Sequence, residues 1–327
     1  MTTINDIARL ANVSRSTVSR HLNKNGYVSQ EAQERIDKVI EETGYFPSQS
    51  AKSLRTKKTG VVGVILPKIS TETASRVVDG INQVLQENDY QMLLTQTLLE
   101  KEKEIVFIRL LQSRNVDGII LLGTNTDEAL VEEIKQSDVP VVVLGQDMPG
   151  TTSIHYPDYK ATAEMISYMI EKGYRDISFI GVPEDDPAVG IVRKKAYIDT
   201  LKEHNLPVLT ERITYGDFSI DSGYHAMETI MNQTMKPDAV FVVTDNMAVG
   251  AMQYLKENHY NIPADIGMAT TGVSRLSKYI EPVLTTIDFQ NEEAGTAITS
   301  LLMRQLNGYK KTKKLTHTYR RLSGNSL

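Results

Sequence analysis

Ile4-Asn5-Asp6-Ile7-Ala8-Arg9-Leu10-Ala11-Asn12-Val13-Ser14-Arg15-Ser16-Thr17-Val18-Ser19-Arg20 sets an apolar stripe, a tight turn and a run of arginines and hydroxyls in close succession. Ile4, Ile7, Ala8, Leu10 and Ala11 fall on one side of a helix over 3–11, with Thr3 as its N-cap. Asn12-Val13 makes the turn, and Ser14 caps a second helix, Arg15–Leu22. After a loop holding Gly26, Ser29 starts a third helix that ends at Gly44, with Ala32, Ile36, Val39 and Ile40 as its stripe. Three short helices with a tight first turn fit a helix-turn-helix, whose second helix enters the major groove. Arg15, Ser16 and Arg20 then face base edges, since an arginine forks onto guanine O6 and N7. Thr17, Ser19 and Asn23 suit phosphate oxygens, which position without specifying.

Small polar three-helix pieces occur in many proteins, so charge is the second argument. Residues 1–60 hold ten Lys or Arg against six Asp or Glu, a net of +4. The whole chain of 327 residues has a net charge of −5, which leaves −9 for the remainder. A basic head on an acidic body is the asymmetry of a chain that meets phosphates at one end.

Outward from the head, Gly44-Tyr45-Phe46-Pro47 halts the third helix. Ser48–Arg55 can form one more short helix, and Thr56–Gly60 reads as a basic linker. From Val61 the pattern changes to apolar strands at Val61–Leu66, Gln91–Thr95, Gly118–Leu122, Val141–Leu144, Ile177–Gly181, Ala239–Val243, Gly267–Thr271 and Leu284–Ile287. Amphipathic stretches such as Ser75–Glu87, Ala161–Lys172 and Ala248–Asn258 separate them. Such alternation implies parallel sheets covered by helices, and a fresh start near Tyr174 implies two lobes. The expected fold class is α/β, an all-α head on a two-lobed core. The expected boundaries are 1–46 for the head, 47–60 for a hinge helix and linker, and 61–327 for the core. Within the core, the N-lobe spans about 61–160 and 289–320 and the C-lobe about 161–288.

The chain has no cysteine, so a disulfide or thiolate metal site is excluded. Its six histidines show no ligand spacing, and no metal or cofactor is expected. A Gly-x-Gly-x-x-Gly, a P-loop and a nucleophile with an identifiable base are all missing, which argues against an enzyme. The N-terminus lacks a signal-peptide design and no apolar run is long enough to span a membrane, so a cytosolic protein is expected rather than a periplasmic binding protein.

Ligands of open parallel sheets sit beyond the carboxyl ends of the strands, here in the cleft between lobes. The strand-end loops offer Lys68 and Ser70, Gln146, the Gly181–Gly190 stretch running to Arg193, Thr244 and Asp245, and Gly272-Val273-Ser274-Arg275. Strand-end loops are polar in most proteins. Hydroxyl, carboxylate and guanidinium groups converging on one cleft nevertheless suit a sugar, whose hydroxyls need paired donors and acceptors.

The run from Ile4 to Arg20, Gly44-Tyr45-Phe46-Pro47 and Ala51-Lys52-Ser53-Leu54 closely resemble the opening of LacI/GalR-family repressors, and the likeness continues along the chain. His21 departs from it, standing where the family more often has an aliphatic residue. The resemblance implies base reading by Arg15, Ser16 and Arg20, and a hinge helix carrying Ser50, Ala51 and Leu54, whose leucine wedges into the minor groove. It implies effector contacts at Lys68, Ser70, Arg193, Asp245 and Thr244, the last replacing an asparagine. The family's Gly-Phe-Asp-Asp is absent, with Gly272-Val273-Ser274-Arg275 in its place. Losing that acid beside Lys68 and Arg193 favours an anionic ligand such as a sugar phosphate. Within the family the chain is similar to sucrose-operon repressors of Gram-positive bacteria and to trehalose-type repressors. The implied function is repression of a sugar-utilisation operon, relieved by sucrose or sucrose 6-phosphate. Trehalose 6-phosphate, or a role in global carbon control, is the alternative. The implied partners are a pseudo-palindromic DNA duplex and a second copy of the chain. The tail carries no leucine heptads, so a dimer is expected rather than a tetramer.

Overall fold

A computed structural model describes residues 2–22, 25–45, 58–272 and 280–327, which fall into two compact units, 1–59 and 60–327. The first unit holds α1 (Ile4–Leu10), α2 (Arg15–Leu22) and α3 (Gln30–Thr43). Thr3 closes a capping box: its hydroxyl accepts from the Asp6 amide at 3.3 Å while the Asp6 carboxylate accepts from the Thr3 amide at 2.9 Å. Asn12 turns the chain with φ 51°, a conformation asparagine tolerates better than most residues. Ser14 caps α2, accepting from the Thr17 amide at 3.1 Å. Ser29 makes no side-chain cap bond at α3, contrary to expectation. Ile7, Ala8, Ala11, Val18, Ile36 and Val39 form a small core, with Ile40 half-buried at its edge.

The second unit contains two six-stranded sheets. The N-lobe sheet is built from β1 (Val61–Leu66), β2 (Gln91–Gln96), β3 (Gly118–Leu122), β4 (Val141–Gly145) and β5 (Thr152–His155). The C-lobe sheet follows with β6 (Ile177–Gly181), β7 (Ile213–Tyr215), β8 (Ala239–Val242), β9 (Gly267–Thr271) and β10 (Thr285–Asp288). β11 (Lys314–Thr316) then completes the first sheet and β12 (Arg320–Leu322) the second. The orders are 2-1-3-4-5-11 and 7-6-8-9-10-12, parallel throughout except for β12 against β10.

Helices cover both faces of the N-lobe sheet. Val64, Ile120 and Val142 pack on one side with α4 (Glu72–Glu87), while Ile65, Ile119 and Val143 pack on the other with α5 (Glu102–Ser113) and α6 (Glu128–Lys135). Both strand faces are therefore apolar, as expected of a buried parallel sheet. The C-lobe helices are α7 (Asp158–Glu171), α8 (Arg193–Glu203), α9 (Ile220–Met231) and α10 (Asp245–Glu257). α11 (Asn291–Leu306) returns to the N-lobe and packs along α4. A Cβ at Gly80 would overlap the Glu292 carbonyl oxygen, and one at Gly295 the Val77 carbonyl oxygen, so each glycine lets the other helix's backbone approach.

The chain passes between lobes three times, at 155–158, 288–291 and 316–320. The expected boundaries carried two crossings. The third is made by β12, after which the Ser326 hydroxyl donates to the Met268 carbonyl at 2.6 Å and seals the tail into the C-lobe. α7 also begins three residues earlier than the expected lobe boundary and packs into the C-lobe core. No helix among the described residues is long and apolar enough to cross a membrane.

Candidate functional site

In the head, Arg15, Ser16 and Arg20 are exposed along α2, with Thr17 and Ser19 half-buried beside them. Among the described residues neither arginine is held in an ion pair. The Ser14 hydroxyl lies 2.7 Å from that of Ser16 and 2.8 Å from that of Thr17, which fixes the start of the helix. His21 joins the Asp37 carboxylate at 2.6 Å and ties α2 to α3. That bond accounts for a histidine where an aliphatic residue is usual: the position faces α3, not solvent. Asn23, Ser50, Ala51 and Leu54 lie outside the described residues.

The second candidate site is a cleft of about 1050 Å³, open mouth included, at the carboxyl ends of the strands in both lobes. Lys68, Thr124 and Gln146 line it from the N-lobe, and Asp186, Arg193, Thr244, Asp245 and Thr271 from the C-lobe. Tyr156, Asp158, Phe289 and Asn291 line it from the crossings, and Phe218 and Val189 add apolar surface. Five of the six expected effector residues thus meet in one cavity. Ser70 does not: it is exposed and off the wall, while the neighbouring Thr71, which caps α4, lines the cavity in its place. Gly272 is in place, while Val273, Ser274 and Arg275 lie outside the described residues.

Arg193, 7% exposed, organises the floor. Its Nε donates to Asp158 at 2.7 Å, its Nη1 donates to the Val243 carbonyl and the Thr271 hydroxyl at 2.6 Å each, and its Nη2 lies 2.7 Å from Asp158. The guanidinium also lies 5.2 Å from the Phe289 ring centroid, a cation–π distance. A grip on a phosphate by both Lys68 and Arg193 therefore lacks its second hand, since most of the Arg193 donors are already engaged. Burial pushes the Asp158 carboxyl up, and the adjacent guanidinium opposes that shift.

Two more carboxylates complete the wall. Asp186 accepts from the amides of Ala188 and Val189 at 3.0 and 3.1 Å, and from Gln146 Nε2 across the cleft at 3.1 Å. Burial pushes its carboxyl up. Asp245 follows β8, where the Thr244 hydroxyl caps α10 by accepting from the Met247 amide at 3.4 Å. Burial raises the Asp245 carboxyl to about 6, with Glu72 of α4 adding to the shift and Arg76 opposing it. Its Oδ1 accepts from the Asn246 amide at 2.9 Å, while its Oδ2 is buried with no partner among the described residues. A buried acceptor without a partner is unusual, and this one belongs to a residue of the cavity wall. The Tyr156 hydroxyl donates to Asn291 Oδ1 at 2.9 Å and fixes the back of the cleft.

Sequence reasoning missed Asp158, Asp186, Thr124, Thr271 and the rings of Tyr156, Phe218 and Phe289. Asp186 sits in the flagged loop after β6, and the Pro157-Asp158 helix start was the available signal for Asp158.

Comparison with known proteins bears on both units of the chain. Residues 3–48 match the model for bacterial regulatory proteins of the lacI family, and residues 166–322 that for the periplasmic binding protein-like domain. The chain is 33% identical over 308 residues to catabolite control protein A of Priestia megaterium, covering 93% of this chain and 92% of that one. It is 32% identical over 309 residues to the sucrose operon repressor of Staphylococcus xylosus, covering 94% and 93%. The crystal structure of the lac repressor dimer bound to operator superposes with a TM-score of 0.89 over 99% of this chain and 98% of that one, at 22% identity, a likeness of fold. With the head, the two-lobed core and relatives of this closeness in agreement, the chain belongs to the lacI family of bacterial regulatory proteins, the DNA-binding transcriptional repressors.

Proposed function

We propose that this chain represses a sugar-utilisation operon and leaves its operator when a small uncharged sugar, sucrose first among the candidates, fills the cleft. The observation that carries the reading is the set of three carboxyl groups on the cleft wall, Asp158 and Asp186 bearing on Arg193, and Asp245 with one oxygen buried and without a partner among the described residues. Three carboxylates against Lys68 and one internally paired arginine make a poor home for a phosphate dianion and a good one for hydroxyls. Phe218 and Phe289 supply flat apolar faces for the C–H side of a sugar ring. The likeness to the sucrose operon repressor of Staphylococcus xylosus supports sucrose.

On this reading the protein acts as a homodimer on a pseudo-palindromic duplex. Arg15, Ser16 and Arg20 read bases, Thr17, Ser19 and Asn23 hold phosphates, and a hinge with Ser50, Ala51 and Leu54 sits in the minor groove. Sugar and operator must weaken each other by one factor, and a tenfold to hundredfold loss of operator affinity requires about 1.4–2.7 kcal/mol of coupling. Calorimetry with sucrose, sucrose 6-phosphate and trehalose 6-phosphate tests the ligand. Heat from sucrose together with release of operator in a gel shift is the expected result. Binding of a phosphorylated sugar alone would return the phosphate reading. The likeness to catabolite control protein A favours a second reading, global carbon control with a protein co-effector. Operator binding that no sugar weakens would select it.

A further inference from the structure

Glu104 is the one buried acid of α5, 1% exposed on a helix face otherwise packed through Ile108 and Leu111. A carboxylate in such a place costs stability unless its oxygens are matched. Here they are. Oε1 accepts from the amide and the hydroxyl of Thr124, both at 2.8 Å, and Oε2 accepts from Asn125 Nδ2 at 2.8 Å. The Asn125 amide cannot turn over without loss, because its Oδ1 accepts from the Asp127 amide at 2.9 Å. Glu104 itself is absent from the cavity wall, whereas Thr124 is part of it.

Resting on the sugar reading of the cleft, we propose that Glu104 is a positioning residue for the effector, which commits the Thr124 hydroxyl proton to its own carboxylate and leaves Thr124 Oγ1 to accept from a ligand hydroxyl. A hydroxyl carries one donor and two acceptor sites. While Glu104 is ionised, that donor is occupied and Thr124 offers lone pairs alone. Once Glu104 is protonated, its own O–H donates to Thr124, whose proton is freed and whose polarity toward the cleft is reversed.

The charged groups bearing on Glu104 from neighbouring elements are Asp186, across the cleft, and Asp127, in the loop it holds, and both are acidic. Lys101, on the turn before α5, is paired with Asp127 at 3.0 Å. Burial, with these two acids, pushes the Glu104 carboxyl up to about 7 against the pull of its hydrogen bonds to Thr124. A ligand hydroxyl donating to Thr124 Oγ1 makes Thr124 a stronger donor to the carboxylate and so favours the ionised form. Binding therefore releases a proton, and affinity rises as pH rises through about 7.

The test is calorimetry on the full-length protein with sucrose, trehalose, maltose and cellobiose at pH 6 and pH 8, beside E104Q and T124V, with thermal melts to establish folding. The wild type should bind its best sugar about two- to fivefold more tightly at pH 8 than at pH 6, which corresponds to a carboxyl lowered by roughly half to one unit on binding. E104Q should lose the part of this dependence centred near pH 7 and keep only what Asp245, raised to about 6, contributes. T124V should bind weakly and likewise lack the part centred near pH 7, and it keeps the test decisive if E104Q fails to fold. Equal wild-type affinity at the two pH values, a wild-type profile in E104Q, or wild-type binding by T124V would overturn the role of Glu104 while leaving the sugar reading intact. Binding of no sugar at all would remove that reading, and this one with it.

Discussion

The arginines of the head and the arginine of the core use one chemical group in opposite ways. Arg15 and Arg20 stand exposed on α2 without an ion pair among the described residues. Arg193 is buried, and its guanidinium joins Asp158, the Val243 carbonyl and the Thr271 hydroxyl across elements far apart in sequence. An exposed guanidinium keeps its donors for a partner and contributes little to folding. A buried one holds the fold of its own site and has little left to offer a ligand. Within one chain, then, the charge that reads an outside partner and the charge that shapes a pocket differ in what already surrounds them.

The largest expected break in this contrast is Arg193→Leu. It strands Asp158 without its counter-charge, and breaking a buried pair from one side costs about 3–5 kcal/mol. Urea denaturation of the core should report that loss along with the loss of sugar binding, whereas Arg193 variants of full stability would place the arginine among the weakly held charges of the head. The complementary substitution is Asp245→Asn. Asp245 has a folded pKa of about 6, raised above its unfolded value by burial. The unliganded protein therefore binds a proton more tightly than the unfolded chain does, and the stability from this group is lost as pH rises from about 4 through 6. Asp245→Asn should stabilise the unliganded core by about 1–3 kcal/mol at pH 7 and flatten that slope, while weakening sugar binding.

Arg15→Ala probes the exposed class. Operator affinity should fall by about 1–3 kcal/mol in fluorescence anisotropy, with the melt of the protein unchanged to within about 0.5 kcal/mol. A destabilised Arg15→Ala protein would mean that the exposed arginine is structural, and the contrast would fail from the other side.

Local signals made most of the fold readable. The α2 bounds Arg15–Leu22 and the strands Val61–Leu66, Gly118–Leu122, Ile177–Gly181 and Gly267–Thr271 follow from caps and apolar runs that need no tertiary information. The short strands β5, β7, β11 and β12 escaped, because Ile213–Tyr215 or Arg320–Leu322 carries no periodicity of its own and is a strand through its neighbour alone. The site divides in the same way. Arg193 and Asp245 stand in recognisable runs, but Asp158 is paired with a residue 35 positions away, and Glu104 interrupts an apolar helix face with nothing nearby to say what it holds. A polar group's partner in space is the information a single sequence does not carry.

The smallest expected effect bears on how the exposed arginines are held in place. The head rests on a cluster of six packed apolar side chains among the described residues, and its first helix has seven residues. In so short a helix the capping box between Thr3 and Asp6 satisfies a large share of the free amides. Thr3→Ala removes the hydroxyl acceptor and should cost the head about 1 kcal/mol. The substitution lies outside α2 and away from Arg15 and Arg20, so their own contacts with DNA are left in place. Operator affinity should fall only as far as the head's own unfolding requires, and the loss should grow on warming toward the head's melting point and vanish well below it. A temperature-independent loss would instead mean that the start of α1 itself meets the DNA, which would extend the exposed contact class beyond the recognition helix.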